Sequence, residues 1–276
     1  MGTISVTNRD PARAMDPKRA PDRPLLDVSG VSVRFGGILA LDHVSFHADA
    51  GSVCGLIGPN GAGKTTLFNC LSGLYRPYQG AIQFAGTPVL ELPVHRMARL
   101  GIGRTFQNLA LFGSMSVERN VMVGGYVAHS GGYLASMFGL PTARAQERAL
   151  QAECRELLEL LDLTSVANVP VKNLPFGTQK RVELGRALAS RPKLLLLDEP
   201  AASLTHEEIG GLRHLILALR EKLNLTILLV EHNMNLVMDV SDQIVVLSFG
   251  RKIADGSAEH VRSHPEVIRA YLGASA

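Results

Sequence analysis

Polar and apolar positions alternate along Leu26-Asp27-Val28-Ser29-Gly30-Val31-Ser32-Val33-Arg34-Phe35 and again along Ala40-Leu41-Asp42-His43-Val44-Ser45-Phe46, with Phe35-Gly36-Gly37 between them. A period of two on either side of a glycine turn predicts an antiparallel hairpin with one buried face. The pattern then changes. Val53-Cys54-Gly55-Leu56-Ile57 is apolar throughout, as in a strand covered on both faces, and Leu67-Phe68-Asn69-Cys70-Leu71 is apolar at helical spacing. Residues 80–86 read as another short strand, and 93–100 as a short helix with proline near its start.

From Gln107 to about Val171 the spacing is helical and less regular. This stretch holds Ser116-Val117-Glu118-Arg119-Asn120-Val121, a Gly- and Ser-rich patch over 124–139, and a long segment over 141–163. In that segment Ala149, Cys154, Leu157, Leu158 and Leu161 are predicted to share one face. Helix and strand then alternate: helix 178–189, strand 194–197, helix 207–222, strand 225–230, helix 233–240, strand 244–247, then a strand over 250–256 and two short helices over 257–272. Such alternation predicts a mainly parallel sheet. The expected class is α/β, with an N-terminal antiparallel β subdomain and an α-helical subdomain of about 107–175 inserted in the core.

Composition adds exclusions. At 276 residues, 46% hydrophobic and 19% charged, the chain has ample capacity for a buried core. Residues 1–24 are rich in Arg, Asp and Pro and carry almost nothing large and apolar, so they read as a disordered tail without the apolar stretch of a secretory signal, and the folded domain is expected over 25–273. A net charge of +3, with no Lys/Arg run interleaved with aromatics, sets nucleic acid aside as a partner. The three cysteines, Cys54, Cys70 and Cys154, are too widely spaced for a disulfide framework or a zinc site and read as reduced cytosolic thiols. No apolar run approaches the ~20 residues of a spanning helix, so the chain is not expected to cross a membrane unaided.

The chemistry concentrates in a few places. Gly58-Pro59-Asn60-Gly61-Ala62-Gly63-Lys64-Thr65-Thr66 reads G-x-x-x-x-G-K-[ST] and lies between a predicted strand and a predicted helix. In a phosphate-binding loop (P-loop) of this kind, glycines let successive N–H groups converge on phosphate oxygens and the helix N-terminus adds partial positive charge. Gly58, Asn60, Gly61, Ala62, Gly63, Lys64, Thr65 and Thr66 are therefore the expected contacts to a nucleoside triphosphate, with Lys64 on the outer phosphates and the Thr65 hydroxyl on Mg²⁺. Asp198 and Glu199 close the apolar strand Leu194-Leu195-Leu196-Leu197, at the strand end where open α/β sheets bind ligands. Asp198 is placed to hold Mg²⁺, and Glu199 to accept a proton from an attacking water. His232 follows the next apolar strand by two residues and is expected to contact the γ-phosphate; Gln107 offers an amide to Mg²⁺ or to the water.

Taken in order, Gly58 to Thr66, Gln107, Leu174-Pro175-Phe176-Gly177-Thr178-Gln179-Lys180-Arg181, Leu194 to Pro200, Ala201-Ala202-Ser203-Leu204-Thr205 and His232 resemble the nucleotide-binding subunit of ATP-binding cassette (ABC) transporters. Val33-Arg34-Phe35-Gly36-Gly37, residues 174–181 and residues 256–273 look most like the ATPase subunits of branched-chain amino acid importers. The resemblance implies a P-loop NTPase core that binds ATP and Mg²⁺ between two cassettes, the phosphate loop of one facing the signature segment of the other. It implies a second ATPase subunit and two transmembrane permease subunits moved by closure of the cassettes. An extracytoplasmic substrate-binding protein would be engaged indirectly, from a peripheral position on the cytoplasmic face of the inner membrane. It further implies that Phe35 stacks on adenine, that Gln107 senses Mg²⁺ and the membrane subunit, and that Glu199 and His232 are the catalytic base and the switch histidine.

Two departures from the family pattern stand out. Where the signature is usually Leu-Ser-Gly-Gly-Gln, this chain has Leu174-Pro175-Phe176-Gly177-Thr178, without the Ser hydroxyl and with an imino acid in its place. Gly177 is retained, and its amide at a helix N-terminus can still face an anion. Unequal ATP sites in a heterodimer are the expected result. Thr205 stands where Asp is usual, and Thr205-His206-Glu207-Glu208 has the form of a capping box. A soluble cassette ATPase acting on DNA or ribosomes is disfavoured by the lack of a long coiled coil or basic arm. A regulatory module with little hydrolysis is disfavoured by intact Glu199 and His232. Urea or short amides are the substrates to weigh against branched-chain amino acids.

Overall fold

The computed structural model describes residues 24–106, 109–127 and 141–272. Gln107, nearly all of the expected tail and most of the Gly/Ser-rich patch lie outside the described residues.

Leu26–Phe35 (β1) and Ile38–Ala48 (β2) form the expected antiparallel hairpin, and Val53–Ile57 (β3) leads into the helix Lys64–Leu71 (α1). Gln79–Phe84 (β4) and Thr87–Pro88 (β5) extend the hairpin into an antiparallel sheet of order β2-β1-β4-β5. Val94–Leu100 (α2) and Ile102–Arg104 (β6) come next. Val117–Gly125 (α3), Pro141–Leu160 (α4) and Phe176–Ala189 (α5) then precede Leu194–Asp198 (β7). The chain continues as His206–Leu223 (α6), Thr226–Val230 (β8), Met234–Val240 (α7), Gln243–Ser248 (β9) and Arg251–Gly256 (β10), and ends its described part in Ala258–Ser263 (α8) and Pro265–Leu272 (α9).

The second sheet has the order β10-β9-β3-β8-β7-β6, parallel throughout except for the β9–β10 pair. Its central strands are buried along their whole length. The period of two divides them between two cores. Val53, Ile57, Leu195, Leu197, Ile227 and Leu229 pack in one cluster, while Cys54, Leu56, Leu194, Leu196, Leu228 and Val230 pack in the other. Both faces being covered, the strands need no polar alternation, which is why they read as continuous apolar runs. Each fully buried leucine contributes about 1.5–3 kcal/mol of burial free energy. Because β8 lies between β3 and β7, the loops after these three strands emerge side by side. Leu56, Val230 and Asp198 share one register row.

Three details differ from the pattern reading. The edge strand β6 is only Ile102-Gly103-Arg104, too short to show a period; pairing with β7 makes it a strand. Helix α5 starts at Phe176, two residues early, with Pro175 at its N-cap in a φ of −57° compatible with a helix start. The buried face of α4 runs through Leu150, Cys154 and Leu158, spaced by one turn, whereas Ala149 is exposed: leucine has more surface to hide than alanine.

All three cysteines are buried and free. Burial pushes their thiols up, Cys70 and Cys154 to about 12. Alkylation by iodoacetamide at pH 8 is expected to be at least ~10³-fold slower in the native protein than in urea, because both thiolate and access are lacking. Fast native labelling, read by intact-mass spectrometry, would contradict this packing.

Candidate functional site

The phosphate loop begins where β3 ends. Gly58 has φ +150°, and a Cβ there would stand 2.2 Å from the Leu247 carbonyl oxygen of β9, so no side chain fits. Gly63, at φ +102°, is the N-cap of α1; a Cβ would come within 2.7 Å of Ala40 and Leu41. No side chain caps α1 and its first turn holds no acidic residue, which leaves the positive end of the helix open to an anion. Asn60, Gly61 and Thr65 are exposed, Thr66 is half-buried, and Ala62 and Lys64 are buried. The Lys64 ammonium folds back over the loop, donating to the carbonyls of Gly58 at 2.7 Å and Pro59 at 3.1 Å. Burial pulls its pKa down, and the charges of Glu199 and Asp198 oppose the shift.

Two carboxylates and a histidine occupy the neighbouring strand ends. Asp198 is buried, and its Oδ2 accepts from Arg104 Nη2 at 3.1 Å. Burial raises the Asp198 pKa, with the Arg104 hydrogen bond acting against it. Arg104 also donates to Asn69 Oδ1 at 2.8 Å and Ser72 Oγ at 2.6 Å, and lies 5.7 Å from the Phe68 ring centre and 5.0 Å from that of Phe106. One guanidinium thereby ties β6 to α1 and β7. Glu199 follows with φ +49°, a left-handed conformation unusual outside glycine, and its Oε1 lies 2.9 Å from His232 Nε2. With Nε2 protonated, His232 donates to Glu199.

Two further side chains surround this turn. Lys180 Nζ donates to the carbonyl oxygens of Glu199, Pro200 and Ala202, at 3.2, 3.1 and 2.7 Å. Glu231, 4% exposed, accepts from the backbone N–H groups of Ala201, His232 and Asn233. Sequence reasoning passed over Arg104, Lys180 and Glu231. Only Glu231 carried a signal, as an acidic residue directly after an apolar strand and beside His232.

Lys64, Asp198, Glu199 and His232 thus meet at one edge of the parallel sheet. Phe35 ends β1 and is exposed, with its ring edge-on to Tyr75 at 5.2 Å. Gly177 lies in the first turn of α5, beside Glu208: a Cβ on it would come within 3.0 Å of Glu208 Oε1. Glu208 belongs to the expected capping box of α6, in which Thr205 Oγ1 accepts from the Glu208 N–H and Glu208 Oε2 accepts from the Thr205 N–H at 2.8 Å. A cavity of about 500 Å³ opens here, lined by Phe106, Gly177, Lys180, Glu183 and Asp198 and by no residue of the phosphate loop. At the signature position Pro175 supplies no side-chain cap to α5. Among the described residues no group of three or more His, Cys, Asp or Glu could hold a metal ion, and no helix is long and apolar enough to cross a membrane.

Comparison with known proteins places this arrangement. The profile of the ABC transporter family matches residues 41–202, and that of the branched-chain amino acid ATP-binding cassette transporter matches residues 251–276. The high-affinity branched-chain amino acid transport ATP-binding protein BraF of Pseudomonas aeruginosa is 45% identical over 251 residues, 91% of this chain and 98% of that protein. LivG of Escherichia coli, named for the same transport role, is 43% identical over 252 residues, with coverage of 91% and 98%. Among solved structures, a nucleotide-free ATP-binding cassette from an ABC transporter superposes with a TM-score of 0.77 at 29% identity, covering 90% of this chain and 98% of the other. An ABC transporter cassette in its ADP conformation gives 0.76 at 30%, with the same coverage. Bearing the phosphate loop on the fold of these cassettes, and matched by the family profile over more than half its length, the chain belongs to the ABC transporter family as a nucleotide-binding, ATP-hydrolysing subunit.

Proposed function

We propose that this chain is the motor subunit of an importer for branched-chain amino acids, hydrolysing ATP on the cytoplasmic face of the membrane to drive two separate permease subunits. The observation that carries the substrate assignment is the near-full-length similarity to BraF and LivG, both named for branched-chain amino acid transport. The segment of about 107–175 is read as a helical subdomain inserted in the core, and it and Gln107 are read as the parts that meet the permeases.

The site fits an ATP phosphate chain and Mg²⁺. The uncapped N-terminus of α1 and the buried Lys64 supply the donors, while Thr65 and Asp198 supply hard oxygen ligands at the same edge. Mg²⁺ held by Thr65 and Asp198, with Gln107 as a third candidate, would neutralise charge on the outer phosphates. Gly58 to Thr66 hold the phosphates, and Phe35 is read as the adenine platform. Glu199 takes the proton of the attacking water, and His232, now turned toward Glu199, has its Nε2–H at hand for the γ-phosphate. The second cassette is a different chain in this reading, because Pro175 and Phe176 make a poor signature for the opposite ATP.

The test is reconstitution of the chain with its permeases and partner ATPase in proteoliposomes. Leucine-loaded binding protein is expected to stimulate ATP hydrolysis and leucine uptake. Stimulation by urea- or amide-loaded binding protein, with none by leucine, would overturn the substrate assignment, and hydrolysis indifferent to the membrane subunits would overturn the motor role.

A further inference from the structure

The turn that carries Glu199 is held from both sides. Glu199 at φ +49° and Ser203 at φ +66° both have left-handed backbone conformations, so residues 199–203 are not a segment that would adopt this shape unaided. On one side the Lys180 ammonium places its three N–H groups on the carbonyls of Glu199, Pro200 and Ala202. On the other side the buried Glu231 carboxylate takes the Ala201 N–H with one oxygen and the N–H groups of His232 and Asn233 with the other. The main chain continues the connection, since the Glu199 N–H donates to the Val230 carbonyl at 2.9 Å. Lys180 stands on α5, three residues beyond Gly177, so the clamp reaches from the signature helix to both of the strand ends that carry the reacting side chains.

From this geometry we infer that Lys180 and Glu231 are positioning residues that set Glu199 and His232 relative to each other and tie them to the signature helix. Burial lowers the Lys180 pKa while Glu231, Glu183 and Glu199 oppose that shift, in that order, which fits an ammonium held among carboxylates. Lys180 acts through the turn, not on substrate: all three of its N–H groups have backbone partners. A small displacement of α5 is then transmitted to the side chain that must face the water, and misplacement of about 1 Å is enough to cost on the order of 10²-fold in rate.

The inference rests on Glu199 being the base, and the experiment separates the two claims. In the assembled transporter, Lys180→Met is expected to lower kcat by about 10–100-fold with ATP affinity, measured by a fluorescent ATP analogue, unchanged within about threefold. Lys180→Arg, which keeps a charged donor, is expected to recover most of the rate, and Glu231→Gln to behave like Lys180→Met. Placed on top of Glu199→Gln, Lys180→Met is expected to add less than about twofold, because a residue acting through Glu199 has nothing left to position. A multiplicative loss in that double variant, or a parallel fall of affinity, kcat and melting temperature, overturns the clamp. If Glu199→Gln itself leaves kcat intact, the base assignment fails instead.

Discussion

Replacing Glu199 by Gln in this subunit is expected to lower ATP turnover of the assembled transporter by about 10²–10⁴-fold while leaving ATP affinity within a few-fold. The amide has the volume of the carboxylate and can still accept from His232, so the contact at 2.9 Å and the turn around it persist. What is lost is the capacity to take a proton, and an interaction needed only in the transition state appears in kcat and not in binding. The same substitution in the partner ATPase subunit is expected to cost much less, under tenfold. In the proposed pairing that subunit's site would be completed by this chain's Leu174 to Thr178, in which Pro175 brings neither hydroxyl nor N–H and leaves α5 without a side-chain cap. Steady-state phosphate release from the two singly altered complexes decides the matter. Equal losses would mean that the unusual signature works normally and that the sites are equivalent.

How far the sequence carried the reading depends on how local each signal is. The phosphate loop was legible because its chemistry is contiguous: glycines at positive φ, a lysine and a hydroxyl all fall within Gly58 to Thr66. Asp198 and His232 were legible one step less directly, as polar residues closing apolar strands; their adjacency follows from the strand order β3-β8-β7. The capping box at Thr205 is equally local and forms as expected. Arg104 and Lys180 were not legible. Arg104 lies on a three-residue edge strand with no period of its own, and its partners Asn69, Ser72 and Asp198 stand 32 to 94 residues away in sequence. Lys180 sits among other polar residues of an amphipathic helix start, and what gives it meaning is the set of carbonyls at 199, 200 and 202. Side chains whose work is to hold groups distant in sequence leave no pattern in the chain.

The largest effect on stability is expected at Arg104. The Arg104 and Asp198 side chains are 9% and 7% exposed, so removing the cation leaves a buried carboxylate without its countercharge. Breaking a buried pair from one side costs about 3–5 kcal/mol, which exceeds what the packing of a methionine stem would return. Arg104→Met is therefore expected to lower the nucleotide-free protein's unfolding free energy by that amount, read from urea denaturation. The loss carries a sign in pH. Burial already raises the Asp198 pKa in the folded state, and without Arg104 it rises further. A carboxyl whose folded pKa lies above its unfolded value binds more protons when folded, so the variant gains stability as pH falls through the folded pKa and is weakest at alkaline pH. Adding Asp198→Asn removes the uncompensated charge and is expected to recover most of the lost stability, but not ATP turnover, since the amide is a poor ligand for Mg²⁺. If Arg104→Met shifts the urea midpoint no more at pH 8 than at pH 5, Asp198 is not the group that the guanidinium keeps charged.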